Sequence, residues 1–357
     1  MRIWSIAPLA AMTCAAFGAA AGPALADAEQ RISGPLVHEN LAIYFIHGAS
    51  AAGPVPLTLS EALAKGRVQV IETGQVNELK IENTGNEEIF IQAGDMVKGG
   101  RQDRVLMVSL LLPPKSGMVP IASFCVEPGR WSARGKEDPT RFTSASEAMP
   151  SRKAMVIMAA PAASGPDGPT PAGGPHPSRG GGDTATKQRQ VWDSVAKMQT
   201  DLSAGLNARV ASPQSATSLQ LSLEHSKLKE AQAAYVAALE GPGLKQTDVL
   251  GYVVAINGKA VSANIYPSSA LFQKMWSRQL AAAVTEAIGE KAGAANAPAP
   301  PSPAAARDFL VAAEKGNAQE RETAMRMRQE TRDSDEALYN ETRGANGRWL
   351  HKNYLRK

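Results

Sequence analysis

Residues 249–266 read Val249-Leu250-Gly251-Tyr252-Val253-Val254-Ala255-Ile256-Asn257-Gly258-Lys259-Ala260-Val261-Ser262-Ala263-Asn264-Ile265-Tyr266. Two runs rich in β-branched and aromatic residues flank Asn257-Gly258, and an Asn-Gly pair supplies the positive φ values that a two-residue hairpin turn demands. Strands are therefore expected at Val249–Ile256 and Ala260–Tyr266. Working upstream, Leu41–Ile46 and Val68–Glu72 also read as strands. Leu79-Lys80-Ile81-Glu82 and Ile89-Phe90-Ile91-Gln92 alternate around Asn83-Thr84-Gly85-Asn86, the pattern of a half-buried hairpin. Val105–Leu112 and Val119–Val126 read as another strand pair around Pro113-Pro114-Lys115-Ser116-Gly117. Strands spaced this closely predict an α+β fold: a mostly antiparallel β-sheet, sandwich or partial barrel, with packed helices, interrupted by disordered inserts.

The helices are read from spacing and caps. Leu59–Lys65 gives one or two turns ending at Gly66, and Val191, Trp192, Val195, Met198 and Leu202 recur at helical spacing. Leu223–Leu239 is rich in helix formers and meets Gly241-Pro242-Gly243. Ser268 or Ser269 can cap the next helix, whose Phe272, Met275, Trp276, Leu280, Val284 and Ile288 share one broad face suited to a core. A charged helix is expected over 305–336, and a closing β-hairpin over 337–357 around Arg343-Gly344-Ala345-Asn346-Gly347.

Two stretches have no periodic apolar pattern. Residues 159–186 are dominated by Ala, Pro, Gly, Ser and Thr, and 292–304 form a Pro/Ala linker. Such segments cannot bury enough surface to offset their ordering entropy. The structured parts are thus a β-rich first half over 35–158 and an α+β second half over 187–291. At the start, Arg2, an apolar run from Ile3 to Ala21 and the small residues of Ala24-Leu25-Ala26 read as a Sec-type signal peptide over 1–26. Cleavage after Ala26 would deliver the protein to the periplasm or the exterior. No later run is long and apolar enough for a stable membrane span.

The formal charge of +4 falls to +3 once Arg2 leaves, which gives no basis for nucleic-acid binding. Of two cysteines, Cys14 lies in the signal, so Cys125 has no partner for an internal disulfide and is expected in a buried strand. No zinc, EF-hand, P-loop or nucleophile-elbow motif is present, and the sequence names no cofactor.

The densest polar segment is Gly94-Asp95-Met96-Val97-Lys98-Gly99-Gly100-Arg101-Gln102-Asp103-Arg104, followed by Glu127-Pro128-Gly129-Arg130-Trp131. Glycines let backbone N–H groups approach an anion, and Lys98, Arg101, Arg104 and Arg130 could pair with phosphate or carboxylate. The alternative is a turn needing positive φ, in which Gln102, Asp103 and Arg104 satisfy backbone groups at a sheet edge. The candidate binding set is Asp95, Lys98, Gly99, Gly100, Arg101, Gln102, Asp103, Arg104, Glu127 and Arg130. A binding module for an anionic small molecule is the leading expectation. One rival is a hydrolase using Asp95, Asp103 or Glu127, with or without a divalent metal, and another is an envelope module for a protein partner.

The same two motifs resemble the ARG- and rhodanese-phosphatase-superfamily-associated protein domain. Gln190-Val191-Trp192, Gly251–Gly258, Leu271-Phe272-Gln273-Lys274-Met275-Trp276 and Leu350–Leu355 agree with it in order. The resemblance implies one divided domain with the Pro/Gly stretches as insertions. The family's name implies association with ADP-ribosylglycohydrolases and rhodanese-like phosphatases, and so a link to ADP-ribose or phosphate chemistry.

Overall fold

Asn257 and Gly258 turn the chain at φ values of 49° and 77°, and the strands on either side pair antiparallel from Gly251↔Ile265 to Ile256↔Lys259. The hairpin is the centre of a large sheet in the computed structural model, which describes residues 31–161, 181–291 and 298–357. The stretch expected to be a signal peptide, most of the expected Pro/Gly insert and the first part of the expected Pro/Ala linker lie outside the described residues.

In chain order the first elements are β1 (Arg31–His38), β2 (Leu41–His47), β3 (Leu57–Thr58), α1 (Leu59–Ala64), β4 (Val68–Glu72) and β5 (Glu78–Asn83). Next come β6 (Ile89–Ile91), β7 (Met96–Gly99), β8 (Arg104–Leu106), β9 (Leu110–Leu112), β10 (Met118–Cys125) and β11 (Phe142–Ser144). A helical stretch follows, with α2 (Arg152–Ala159), α3 (Gly181–Gly205), α4 (Leu219–Leu223) and α5 (Ser226–Leu244). The chain ends with β12 (Val249–Ile256), β13 (Lys259–Ile265), α6 (Ser269–Glu290), α7 (Pro303–Ala313), β14 (Asn317–Thr323), β15 (Met327–Asp333), β16 (Ala337–Arg343) and β17 (Trp349–Arg356).

Eight strands form one antiparallel sheet in the order β1-β2-β12-β13-β17-β16-β15-β14, which curls towards a barrel. Six more make a second sheet, β11-β7-β8-β10-β5-β4, and β3-β6-β9 make a third, with β3 and β6 parallel. The fold is α+β and mostly antiparallel, as expected. Strand β12 is buried along its whole length because both faces are covered. On one face Tyr252 and Val254 join a core with Phe45 and with Phe272, Trp276 and Leu280 of α6. On the other, Val253 and Ala255 meet Ala306, Phe309 and Leu310 of α7. Ser268 caps α6 by accepting from the Leu271 N–H, and the expected apolar face is buried throughout. Among the described residues no helix is long and apolar enough to cross a membrane.

Four expectations need correction. Strands β5 and β6 do not form a hairpin: β5 pairs with β4 and β10, and β6 with β3 and β9. The buried Asn83 side chain donates to the carbonyls of Glu87 and Pro113 and so fixes the passage from one sheet to the other. The run 105–112 likewise splits, β8 pairing with β10 and β9 with β6, because Ser109 turns inward to His351 between them. The charged helix stops at Ala313. After Gly316 the chain forms β14 and β15, paired from Asn317↔Asp333 to Thr323↔Met327. In β15 Met327, Gln329 and Thr331 are buried in alternation, a sheet period hidden within residues that favour helix when isolated. Finally, α3 begins at Gly181, inside the stretch expected to be unstructured. The closing hairpin is present as β16 and β17.

Candidate functional site

The glycine-rich turn lies between β7 and β8. Gly100 takes φ +55°, and a Cβ there would fall 2.2 Å from the Phe142 ring, so a side chain is excluded on two grounds. Asp103 Oδ1 accepts from the Gly99 N–H at 2.9 Å, and Glu127 Oε2 accepts from the Asp103 N–H at 3.3 Å. Two arginines close the cluster. Arg130 Nη2 lies 2.6 Å from Glu127 Oε2 and 3.5 Å from Asp103 Oδ1, and its Nη1 donates to the Gly100 carbonyl. Arg134 Nη1 lies 2.9 Å from Asp103 Oδ2, and its Nη2 lies 3.1 Å from Glu137 Oε1. Ser215 and Ser218 donate to Glu127 and Asp103 at 2.6 and 3.0 Å. Burial works against the Arg134 charge, but Asp103 and Glu127 hold the guanidinium firmly protonated.

Asp103, Glu127 and Arg130 are thus brought together, joined by Arg134, which sequence reading passed over. Its only signal was a lone arginine before Gly135 in a polar loop. Beside this cluster, fully buried Arg104 lies 3.2 Å from Glu72 Oε2, donates to Gln102 Oε1 at 3.2 Å and has its Nη1 2.7 Å from Cys125 Sγ. Cys125 is buried as expected, and burial pushes its thiol up to about 12 despite the neighbouring Arg104. Lys98 pairs with Glu224 at 2.8 Å. Arg101 is exposed, its guanidinium over the Trp131 ring at 5.6 Å. Asp95 stands apart, accepting from the Gln92 N–H at 2.9 Å and facing Arg278 at 3.9 Å. Of the four candidate cations, Lys98, Arg104 and Arg130 thus have carboxylate partners, while Arg101 lies over Trp131.

The second polar constellation lies inside the eight-stranded sheet. One row of opposed residues crosses it: Tyr252↔Asn264, Asn264↔Asn353, Asn353↔Asn340 and Asn340↔Thr331. All five are buried. A hydrophobic sheet face needs no such row, and each member requires partners. Asn264 Oδ1 accepts from Asn353 Nδ2 at 2.9 Å and faces His351 Nε2 at 3.0 Å. An amide oxygen only accepts, so His351 carries its proton on Nε2 and Nδ1 accepts from Ser109 Oγ at 3.0 Å. Burial pushes His351 down to about 3 and keeps it neutral. Asn264 Nδ2 donates to the Tyr252 hydroxyl at 2.7 Å, which donates onward to Gln279 Oε1 at 3.1 Å.

This chain leaves Gln279 Nε2 buried with no hydrogen-bond partner. Gln279 lines a cavity of about 60 Å³ together with Gln92, Tyr252, Asn264, Arg152 and Glu286. A smaller recess of about 20 Å³ adjoins it, sharing Ala93, Met155 and Asn353 and reaching Ser109, His351 and Asn340. Helix α2 covers both spaces through Met155. Its seat is Gly94, at φ +95°, where a Cβ would lie 2.9 Å from the Met155 methyl. At the far wall, burial pushes Glu286 up to about 7, while Arg152 pulls it down and Glu290 adds to the rise. Arg152 donates its backbone N–H to Glu286 at 3.1 Å and its Nη2 to Glu290 at 3.2 Å. On α6, Gln279, Ala282, Ala283 and Glu286 recur at i, i+3, i+4 and i+7, giving one face with polar ends and a small-residue floor.

Sequence reading assigned Tyr252 and Asn264 to hairpin strands and Asn353 to the closing hairpin, but not to a site. An asparagine at a core-facing position of a strand was the available signal. Among the described residues no cluster of three or more His, Cys, Asp or Glu is placed to hold a metal ion.

No curated protein and no solved structure matches the chain. Residues 29–355 match the family model described as ARG and Rhodanese-Phosphatase-superfamily-associated Protein domain, and since that match spans nearly the whole sequence, the chain belongs to this family.

Proposed function

We propose that the protein is a binding module whose ligand is a small, neutral, polar molecule held beneath α2 against the polar row of the eight-stranded sheet. The observation that carries this reading is Gln279 Nε2, a buried donor with no partner at the wall of a cavity. Leaving such a donor unmade costs roughly 1–3 kcal/mol, which a carbonyl or hydroxyl oxygen of a ligand would recover. The remaining wall offers both donors and acceptors, and a space of about 60 Å³, well under the roughly 300 Å³ of a drug-sized pocket, limits the ligand to a few heavy atoms. The ligand class is neutral rather than anionic because the cavity's one arginine, Arg152, already pairs with Glu286 at 3.8 Å and Glu290 at 3.2 Å. Export through the N-terminal signal is part of the same proposal, and N-terminal sequencing of the mature protein would then begin at Asp27.

The test is the side-chain amide resonance of Gln279, assigned by its loss in Gln279→Leu. Titration with formamide, acetamide and ethylene glycol, molecules of a size to enter the cavity, should shift it downfield on formation of the new hydrogen bond. A resonance that none of these compounds moves would refute the site.

A further inference from the structure

A separate chain of three side chains ties β1, β2 and the start of β12 together. Ser33 Oγ lies 2.7 Å from His47 Nε2, and His47 Nδ1 lies 3.0 Å from Asp248 Oδ1. The register explains how they meet. Arg31↔His47 and Ser33↔Phe45 put Ser33 diagonal to His47 on one face, and Val249↔His47 brings Asp248 alongside. An ionised carboxylate only accepts, so the His47 proton sits on Nδ1 and Nε2 is left to accept from the serine hydroxyl. The His47 ring beside Asp248 holds that carboxyl below its usual range, and Arg31 Nη2 lies 3.4 Å from its second oxygen. His47 is buried, whereas Ser33 is half-buried on an edge strand next to exposed Gly34. None of the three lines the interior cavity.

We propose that Ser33 is the nucleophile of an esterase-type site, with His47 as its general base and Asp248 as the positioning residue, acting on small carboxylic esters reached from solvent. Hydroxyl, imidazole and carboxylate stand in the order and at the spacing that acyl transfer requires, and that geometry recurs on unrelated folds. Ser33 Oγ attacks the ester carbonyl carbon as its proton passes to His47 Nε2. The C–O bond to the alcohol then breaks, and the alcohol leaves with that proton. Water, deprotonated by the same nitrogen, attacks the acyl-serine and releases the carboxylic acid and free Ser33. Asp248 keeps the Nδ1–H tautomer throughout and stabilises the imidazolium between the two transfers. The proposal assigns the oxyanion to the backbone N–H of Gly34, the residue after the serine, which stands at φ +112° where the β1/β2 register shifts. The open cleft of about 400 Å³ that runs from Gly48 past Leu250 to Arg343, Arg348 and Trp349 is lined by none of Ser33, His47 and Asp248, so an ester meets half-buried Ser33 directly from solvent.

The alternative is a purely structural tie between three strands, and a fluorophosphonate probe separates the two. Mass spectrometry of the labelled native protein should place the phosphonyl group on Ser33, with label absent in Ser33→Ala and in His47→Gln. Asp248 is more than half exposed, so Asp248→Asn should fold even if the buried His47→Gln does not. That variant should label roughly 10-fold more slowly or worse, because an amide no longer fixes the Nδ1–H tautomer, and Asp248→Glu should restore part of the rate. Hydrolysis of p-nitrophenyl acetate should fall in parallel. An unlabelled Ser33 in folded protein, or a labelling rate that Asp248→Asn leaves unchanged, would overturn the assignment.

Discussion

Asn264 and Asn353 face each other across the β13–β17 ladder, with Asn353 Nδ2 donating to Asn264 Oδ1 at 2.9 Å inside the sheet. That pair organises the interior. It fixes the His351 tautomer on one side and, through Tyr252, the orientation of Gln279 on the other. A cavity wall built this way is rigid before any ligand arrives, which is the condition for selective hydrogen bonding.

Gln279→Leu should abolish binding at the cavity while changing unfolding free energy by no more than about 1 kcal/mol. The variant removes one unpartnered donor and takes one acceptor from the Tyr252 hydroxyl, two effects of opposite sign. Urea denaturation beside a binding assay checks both halves.

Arg134→Ala should destabilise the protein by about 3–5 kcal/mol, since it strips the buried Asp103 and Glu127 of a shared cation. Arg104→Ala should cost a similar amount by isolating Glu72. Arg101→Ala, at an exposed position, should stay within roughly 0.5 kcal/mol. Denaturant midpoints for the three variants test whether the glycine-rich turn is held by its own ion pairs.

These contrasts show what the sequence could and could not convey. The Asn257-Gly258 hairpin, the α6 core face and burial of Cys125 were legible because each follows from local period or turn chemistry. The splitting of β5 from β6 was not, since alternation shows that a strand has two faces but not which sheet it joins. Residues 317–333 read as helix because Glu, Arg, Gln and Met favour it in isolation, yet pairing with β16 decides otherwise. At the site, Asp103, Glu127 and Arg130 were recognisable as a charged group. Their partners Arg134, Ser215 and Ser218 come from distant loops, and the Tyr252–Asn264–Asn353 row exists only once strand register is set.

Glu286 makes stability depend on pH in a defined direction. Its carboxyl is pushed up to about 7 by burial, above the value of roughly 4.3 in an unfolded chain. The native state therefore binds the extra proton, and this contribution is full below about pH 4 and lost as pH rises through 7. His351, pushed down to about 3, works the other way, losing stability as pH falls below about 6.5. Comparing wild type with Glu286→Gln isolates the first effect. The variant should be more stable by on the order of 3 kcal/mol at pH 8, and the gap should close towards pH 4.

Cys125 should be inert in the folded protein. Its thiol is buried and pushed up to about 12, so thiolate is scarce at pH 8. Iodoacetamide should alkylate it only in denaturant, as mass spectrometry of the modified peptide would show.

The most direct test of the binding account is a thermal-shift screen of wild type and Gln279→Leu against formamide, acetamide, ethylene glycol and inorganic phosphate. The account predicts that a neutral compound raises the wild-type melting temperature, by mass action on the native state, and leaves the variant's unchanged. An equal shift in both proteins, a response to phosphate alone, or no response to any compound would contradict it.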